Sequence, residues 1–312
     1  MGINEDSVEP LKIYQREVWL REYNREPYRS IRQKILDTFK DLVFIEDGHK
    51  YFLGNRELMC VSNMTHVFKE QFDVDKMAPL TYAKNYNNPK SPYYRKTVDE
   101  IKEMWKTNSK NACDHGSERH EFGESLFHFM VGEFDRICPE FKDRLKYDEN
   151  GKPYFLAVAA KEVAAVKAYN DIPDCLVPIL AETKVYNIEK DYAYSGTFDI
   201  LFYYNAVLNG KSLNDNGLYV LDWKTNGDIF KNYNQKKLLP PFDDMYDMDK
   251  SMYVLQLNSY QMALEKIGLK VIARRLFWLL PDGNYKKISL ENITERLNKA
   301  LIEKYGNKNQ KN

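Results

Sequence analysis

Tyr194-Ser195-Gly196-Thr197-Phe198-Asp199-Ile200-Leu201, answered after a loop by Leu218-Tyr219-Val220-Leu221-Asp222-Trp223-Lys224-Thr225, is the passage that decides how this chain is read. Both halves have the aliphatic, aromatic and β-branched composition of a strand. Both also carry carboxylates where a buried strand normally excludes them. Side chains alternate along a strand, so Asp222 and Lys224 share one face while Leu221 and Trp223 share the other. If Asp199 lies on the neighbouring strand, two carboxylates and an amine converge within a few ångströms. Such carboxylates repel unless a cation sits between them, and oxygen ligands on rigid strands suit Mg²⁺ or Mn²⁺. A lysine beside the ion would orient or help deprotonate a water and offset charge on a phosphate.

The rest of the chain gives this passage a globular setting. Its 312 residues suffice for one sizeable domain with an elaborated end, and 43% hydrophobic with 29% charged residues is an ordinary globular balance. Lys plus Arg equals Asp plus Glu at 46 each, so no global basic field advertises nucleic acid. A metal-dependent nuclease is still compatible with neutrality, because an acidic pocket cancels a basic groove. The start, MGINEDSVEPLKIY, lacks the basic and apolar regions of a signal peptide, matches a myristoylation start poorly, and no window reaches the length of a membrane span. A soluble, cytoplasmic protein is expected. Cys60, Cys113, Cys138 and Cys175 are scattered without a CxxC pair, which argues for reduced thiols over a zinc ribbon or disulfide framework.

Taken in order, residues 10 to 41 read as helical, and Leu42–Ile45 with Tyr51–Leu53 as a β-hairpin around an Asp-Gly turn. His49 and His66 read as surface or capping residues. Asp73 to Asn111 is mostly helical, broken around Asn87–Pro92, and its second part carries Lys102, Lys106 and Lys110 as a basic ridge. Gly116 precedes a strong helix in which His120 and Glu124, four residues apart, share a face. A helix is expected from about Leu156 to Tyr169, then a strand, Leu176 to Tyr186, whose Glu182 either joins the site or faces solvent. Beyond Lys224 a long irregular stretch, residues 226 to 249, carries Lys231, Lys236 and Lys237 and reads as a clamp, a lid or a linker. A helix from Tyr253 to Ile267 places Gln256 and Tyr260 on one face; a last core strand, Val271 to Leu280, and a helix from about Glu291 to Tyr305 follow, then a frayed polar tail from Gly306.

The ordered pieces Gly116…His120…Glu124, Ser195-Gly196-Thr197-Phe198-Asp199, Leu221-Asp222-Trp223-Lys224-Thr225 and Gln256-xxx-Tyr260 resemble the PD-(D/E)xK nuclease superfamily, and within it the RecB-like exonucleases, which include many phage enzymes. Each piece alone is weak; their order on the expected elements carries the resemblance, over about Gly116 to Leu280. It implies an α/β restriction-endonuclease-like core at 116–312, a central mixed β-sheet flanked by helices, with a helical and β-hairpin elaboration at 1–115. It implies His120, Asp199, Asp222 and the main-chain carbonyl of Trp223 as ligands of Mg²⁺ or Mn²⁺, with Glu124 and Glu182 as further candidates. Lys224 would position the attacking water, and Gln256 and Tyr260 would shape the site. No cysteine follows Cys175, whereas the iron–sulfur members keep three after the Gln-xxx-Tyr helix, so no cluster is expected. No Gly-xxxx-Gly-Lys-Ser/Thr motif occurs, so any helicase, or a single-strand-annealing protein, would be a separate partner.

The expected activity is a metal-dependent deoxyribonuclease, an exonuclease on single-stranded DNA or duplex ends in recombination, repair or genome processing. A structure-specific endonuclease on the same core and a catalytically silent nucleic-acid-binding module are the alternatives. Oligomerisation is open. The intact Asp199, Asp222 and Lys224 set argues against the silent module, which has no need of an acidic pocket where phosphates approach.

Overall fold

The computed structural model describes residues 8–306, and side chains throughout these except at 111–119. The start of the chain and its last six residues therefore lie outside the described part, as do the side chains of Cys113 and of residues 117–119 in the expected His120 helix. Strand β1 (Leu11–Tyr14) precedes helices α1 (Glu17–Tyr23) and α2 (Tyr28–Phe39), strands β2 (Leu42–Ile45), β3 (Lys50–Leu53) and β4 (Arg56–Cys60), and helices α3 (Val61–Thr65), α4 (Val74–Asn85) and α5 (Val98–Val131). Next come β5 (Leu145–Tyr147), β6 (Pro153–Ala157), α6 (Ala160–Asn170), β7 (Leu176–Ile188), β8 (Ala193–Tyr204) and β9 (Gly217–Lys224). The chain closes with α7 (Asp249–Lys266), β10 (Val271–Leu279), β11 (Tyr285–Ser289) and α8 (Thr294–Tyr305).

The central sheet is mixed and runs β11-β10-β9-β8-β4-β3-β2, with β7 on the other edge of β8. β9 and β10 are parallel, as are β4 and β8, while β7 and β9 both run antiparallel to β8. Helices cover both faces, as the expectation of a mixed sheet flanked by helices requires. The alternation on β9 sorts its side chains as the sequence implied: Leu218 and Val220 enter the core under α7 and α8, Leu221 and Trp223 the core under α5 and α6. A small sheet, β1-β6-β5, extends the second layer.

Several expected boundaries differ. Residues 10–41 are not one helical run: Leu11–Tyr14 pairs with β6, and the helix after it ends at Asn24 before Pro27 starts the next. Gly116 does not precede a helix; α5 already runs through it. The start lies at Thr97, whose hydroxyl accepts from the Glu100 amide at 3.2 Å while the Glu100 carboxylate accepts from the Thr97 amide at 2.7 Å. The end lies at Gly132, whose φ of +82° is the left-handed conformation glycine adopts without cost. One interior glycine lowers helix stability by only about 1 kcal/mol, which packing elsewhere on the helix outweighs. Residues 153–157 are strand, so the alanine-rich helix begins at Ala160, and β11 was not anticipated because Tyr285-Lys-Lys-Ile-Ser is a short, lysine-bearing edge strand. The stretch after Lys224 is no loose linker: Ile229, Leu238 and Phe242 are buried in the main core, and Leu239 N–H donates to the Phe68 carbonyl at 2.7 Å.

Candidate metal centre

β8 is the strand on which the site depends. Along one edge it pairs with β7 almost throughout; along the other, β9 takes Ile200–Tyr204 and β4 takes only Tyr194 and Ser195. Residues 196–199 are thus left without a strand partner on that edge, and a notch opens in the sheet. Side chains occupy it instead. The Asp199 carboxylate (Oδ2) accepts from the Trp223 amide at 2.7 Å, taking over where the β8–β9 ladder stops. Thr197 Oγ1 lies 3.1 Å from the Tyr51 hydroxyl. At Gly196 the Tyr260 ring packs directly on the backbone: a Cβ there would stand 2.8 Å from Cε1 of that ring.

Into this notch come residues from several elements. His120 of α5 brings Nδ1 to 3.3 Å from Asp199 Oδ2 and 3.5 Å from Glu182 Oε1. One donor atom from each of these three residues falls within 4.8 Å of the others, a grouping able to hold a metal ion. Glu182 reaches in from β7 on a backbone with φ of +40°, a region that a non-glycine residue seldom enters. The choice left open for Glu182 is therefore resolved toward the site. Asp222 lies beside this group: its side chain is 1% exposed, and Lys224 Nζ stands 2.5 Å from Oδ2.

The helix-borne part of the site depends on a second close approach. A Cβ at Gly123 would lie 2.8 Å from Nε1 of Trp223, so α5 sits flush on β9 only because that position is glycine. One turn earlier on the same helix, His120 meets Asp199. Glu124, offered by the sequence as a further ligand, is placed otherwise: it lies 3.6 Å from His128 Nε2 and 3.9 Å from the Cys138 thiol, outside the His120–Glu182–Asp199 group. Its charge nonetheless helps raise Glu182, so it borders the group rather than joining it.

α7 closes the site from the other layer. Gln256 Nε2 donates to the Tyr260 hydroxyl at 3.0 Å, so the two residues act as one unit packed on Gly196. The sequence reading missed Tyr253, whose ring lies 4.4 Å from Lys224 Nζ and whose hydroxyl donates to Asn226 Oδ1 at 2.9 Å. Its spacing of three and seven residues from Gln256 and Tyr260 was the available signal. Lys161 of α6 was also missed: its ammonium donates to the carbonyls of Thr225 and Leu279 and so pins the end of β9 just beyond Lys224.

The electrostatics are those of a cluster that lacks positive charge. Burial, together with the Asp199 charge, pushes the Asp222 carboxyl up to about 6, and burial pushes Glu182 to about 8. The Asp199 carboxylate raises His120 well above its ordinary value. Burial opposes ionisation of Asp199, yet His120 and Lys224 hold it below the usual range. Lys224 is raised, because the Asp222 and Asp199 carboxylates outweigh the cost of burying its ammonium. Both Asp222 oxygens are buried and make no well-directed hydrogen bond. Oδ2 is held by the Lys224 ammonium, which leaves Oδ1 without a partner; a buried carboxylate oxygen in that state beside a second buried carboxylate is what a cation would satisfy, so the residues present fit a bound divalent metal.

His49 and His66 stand apart from this centre. His49 packs against Phe44 at 4.9 Å, and burial lowers His66. Two lysines of the anticipated basic ridge are neutralised, Lys102 by Asp75 at 2.6 Å and Lys106 by Glu103 at 4.0 Å. Among the described residues no helix is long and apolar enough to cross a membrane. Compared with protein-family models and with curated proteins, the sequence finds no match.

Proposed function

We propose that this protein is a Mg²⁺- or Mn²⁺-dependent deoxyribonuclease, an exonuclease on a restriction-endonuclease-like core of the RecB-like type. The observation that carries this reading is the notch in β8, where His120, Glu182 and Asp199 converge and the Asp222–Lys224 pair, 2.5 Å apart, lies beside them. Asp199, Asp222, Glu182 and His120, with the Trp223 carbonyl, would hold the ion. When bound, it would supply activation of water and charge offset at a phosphodiester.

The chain's own residues account for the remainder of the reaction. Lys224 is fixed by Asp222 on one side and the Tyr253 ring on the other, so its ammonium is positioned to orient a water and to stabilise the pentacovalent phosphate. The Gln256–Tyr260 pair holds β8 at Gly196 and thereby sets the position of Asp199. A donor set of carboxylates plus one imidazole suits Mn²⁺ at least as well as Mg²⁺.

The test uses end-labelled linear single strands, linear duplexes and closed circles, incubated with Mg²⁺, Mn²⁺ or EDTA. Degradation that needs the metal, spares the circle and falls by at least ~10³-fold in Asp222→Ala and Lys224→Ala is expected. Cutting of the circle would replace the exonuclease with an endonuclease. DNA binding without cleavage would leave a binding module.

A further inference from the structure

The chain between Asp75 and Asp99 contains no acidic residue, although acids make up 46 of the 312 residues, about one in seven. The same stretch carries Lys76, Lys84, Lys90, Arg95 and Lys96, together with Tyr82, Tyr86, Tyr93 and Tyr94. It forms most of α4 and the turn that leads into α5. Lys84, Lys90 and Arg95 are exposed and have no carboxylate partner among the described residues, unlike Lys102 and Lys106 further along.

The position of this stretch follows from the helices. α4 packs on the beginning of α5, with Asp75 against Lys102 and Phe72 against Trp105 at 5.3 Å, so the C-terminal end of α4 and the turn after it lie beside the start of α5. α5 contributes to the core under the sheet from Phe122 onward. The earlier part, with α4 and the turn between them, we call the arm; within it Ile101 is fully buried and Trp105 packs on Phe72 and Tyr93. From Val98 to His120 the helix rises about 33 Å at 1.5 Å per residue. That length is close to one turn of duplex DNA, ~34 Å.

The tip presents exposed cations on a fixed frame, and of its tyrosines Tyr86 is the most exposed, at 38%. Tyr82 and Tyr86 contact each other at 5.0 Å, Tyr93 accepts from the Trp105 indole at 2.9 Å, and Tyr94 lies under Arg95. The turn is held in one shape by Arg95 N–H donating to the Tyr86 carbonyl at 3.0 Å and by Lys90 N–H donating to Asn88 Oδ1 at 3.1 Å. Free cations on a fixed frame contact phosphates, whereas unpaired bases need open aromatic faces.

We propose that Lys84, Lys90 and Arg95 at the tip of the α4–α5 arm form a second, sequence-independent docking site for duplex DNA, gripping the phosphate backbone about one helical turn from the metal centre. The proposal rests on the nuclease reading for the identity of the substrate at His120 and Asp199. It goes beyond that reading in giving the enzyme a minimum duplex length.

The experiment measures fluorescence anisotropy of labelled duplexes of about 8 to about 24 base pairs, in EDTA so that nothing is cleaved, at several salt concentrations. The expected result is a steep rise in affinity once the duplex exceeds about ten base pairs. That rise should be missing in the Lys84→Glu, Lys90→Glu, Arg95→Glu triple variant. The triple Gln variant should lose the same step and lower the slope of log K against log salt by about 2 to 3, as removal of three phosphate contacts requires. An unchanged length dependence in the folded Gln variant would overturn the proposal. So would a single strand of equal length that loses as much affinity as the duplex. If the step appears but no metal supports cleavage, the arm stands and the nuclease reading falls; cleavage without the step has the opposite meaning.

Discussion

Gly196 and Gly123 carry more of the site than any ligand does, because each lets an aromatic ring come close enough to seat a functional side chain. The missing Cβ at Gly196 is occupied by Tyr260, itself 3% exposed and unable to retreat. Gly196→Ala is expected to cost about 1 to 3 kcal/mol by overpacking. In a double-mutant cycle, Tyr260→Ala should restore part of the loss, and strict additivity of the two changes in urea unfolding would refute the contact. A second residue-level prediction concerns pH. A hydrogen bond from His128 lowers Glu133 to about 2 from 4.5, and His128 is raised above 6.5 because its two carboxylate partners outweigh burial. The depressed Glu133 stabilises the fold above pH 4.5 and loses that contribution as pH falls toward 2. The raised His128 stabilises it below pH 6.5 and loses that contribution as pH climbs through its folded value. The stability difference between wild type and Glu133→Gln should therefore peak between pH 4.5 and 6.5. A difference independent of pH would show that the pair is not ionised in the folded state.

At the scale of elements, α5 is one continuous helix with two different employments. Its C-terminal half places His120 and packs Phe122, Leu126 and Phe129 into the core; its beginning packs on α4 and on the flanking residues Phe72 and Tyr93. The Thr97 capping box starts the helix, and removing the hydroxyl in Thr97→Ala should cost about 1 kcal/mol. The loss should be local, because Thr97 caps only the first turn of the helix. Amide hydrogen exchange should accelerate in residues 98–106 while the exchange of β8 and β9 stays unchanged. Equal acceleration in the central strands would mean that the arm and body unfold as one unit. The β8 strand shows the converse principle: its notch exists because β4 and β9 share one of its edges without meeting, and a missing rung of the ladder became space for chemistry.

For the whole molecule, the buried carboxylates make stability depend on what fills the notch. Asp222 and Glu182 are held partly protonated by burial, so the fold carries an electrostatic cost that a divalent cation would relieve. Mn²⁺ at about 100 times its dissociation constant is expected to stabilise the native state by about 2.7 kcal/mol, readable as a rise in Tm. The rise should be smaller with Mg²⁺ at the same concentration, given the imidazole of His120, and absent in Asp199→Asn. A Tm in wild type indifferent to both ions would remove the metal from the site. Neutral net charge agrees with this organisation, since the acidic notch and the acid-free arm tip lie in different parts of one chain.

The β8 and β9 strands, the shared face of Asp222 and Lys224, the Gln256–Tyr260 face and the order of the main elements were legible in the sequence. Each follows from local rules: the two-residue period of a strand, the near-four-residue period of a helix and the breaks at Gly and Pro. The β1, β6 and β11 strands were not: β1 and β6 owe their conformation to each other across distant parts of the chain, and β11 is a short, lysine-bearing edge strand made extended by its pairing with β10. The same limit applies to the site. Glu182, whose register was open, and Glu124, placed by its helix spacing, were both candidates, and only the packed fold brought Glu182 to His120 while setting Glu124 against His128. The sequence by itself determined which residues offer the carboxylates, amine and imidazole of the candidate site and on which face of each element they stand. Only the tertiary structure decided which faces meet, because that depends on strand register and on close approaches such as Gly123 to Trp223, which are set by contacts between residues distant in the chain.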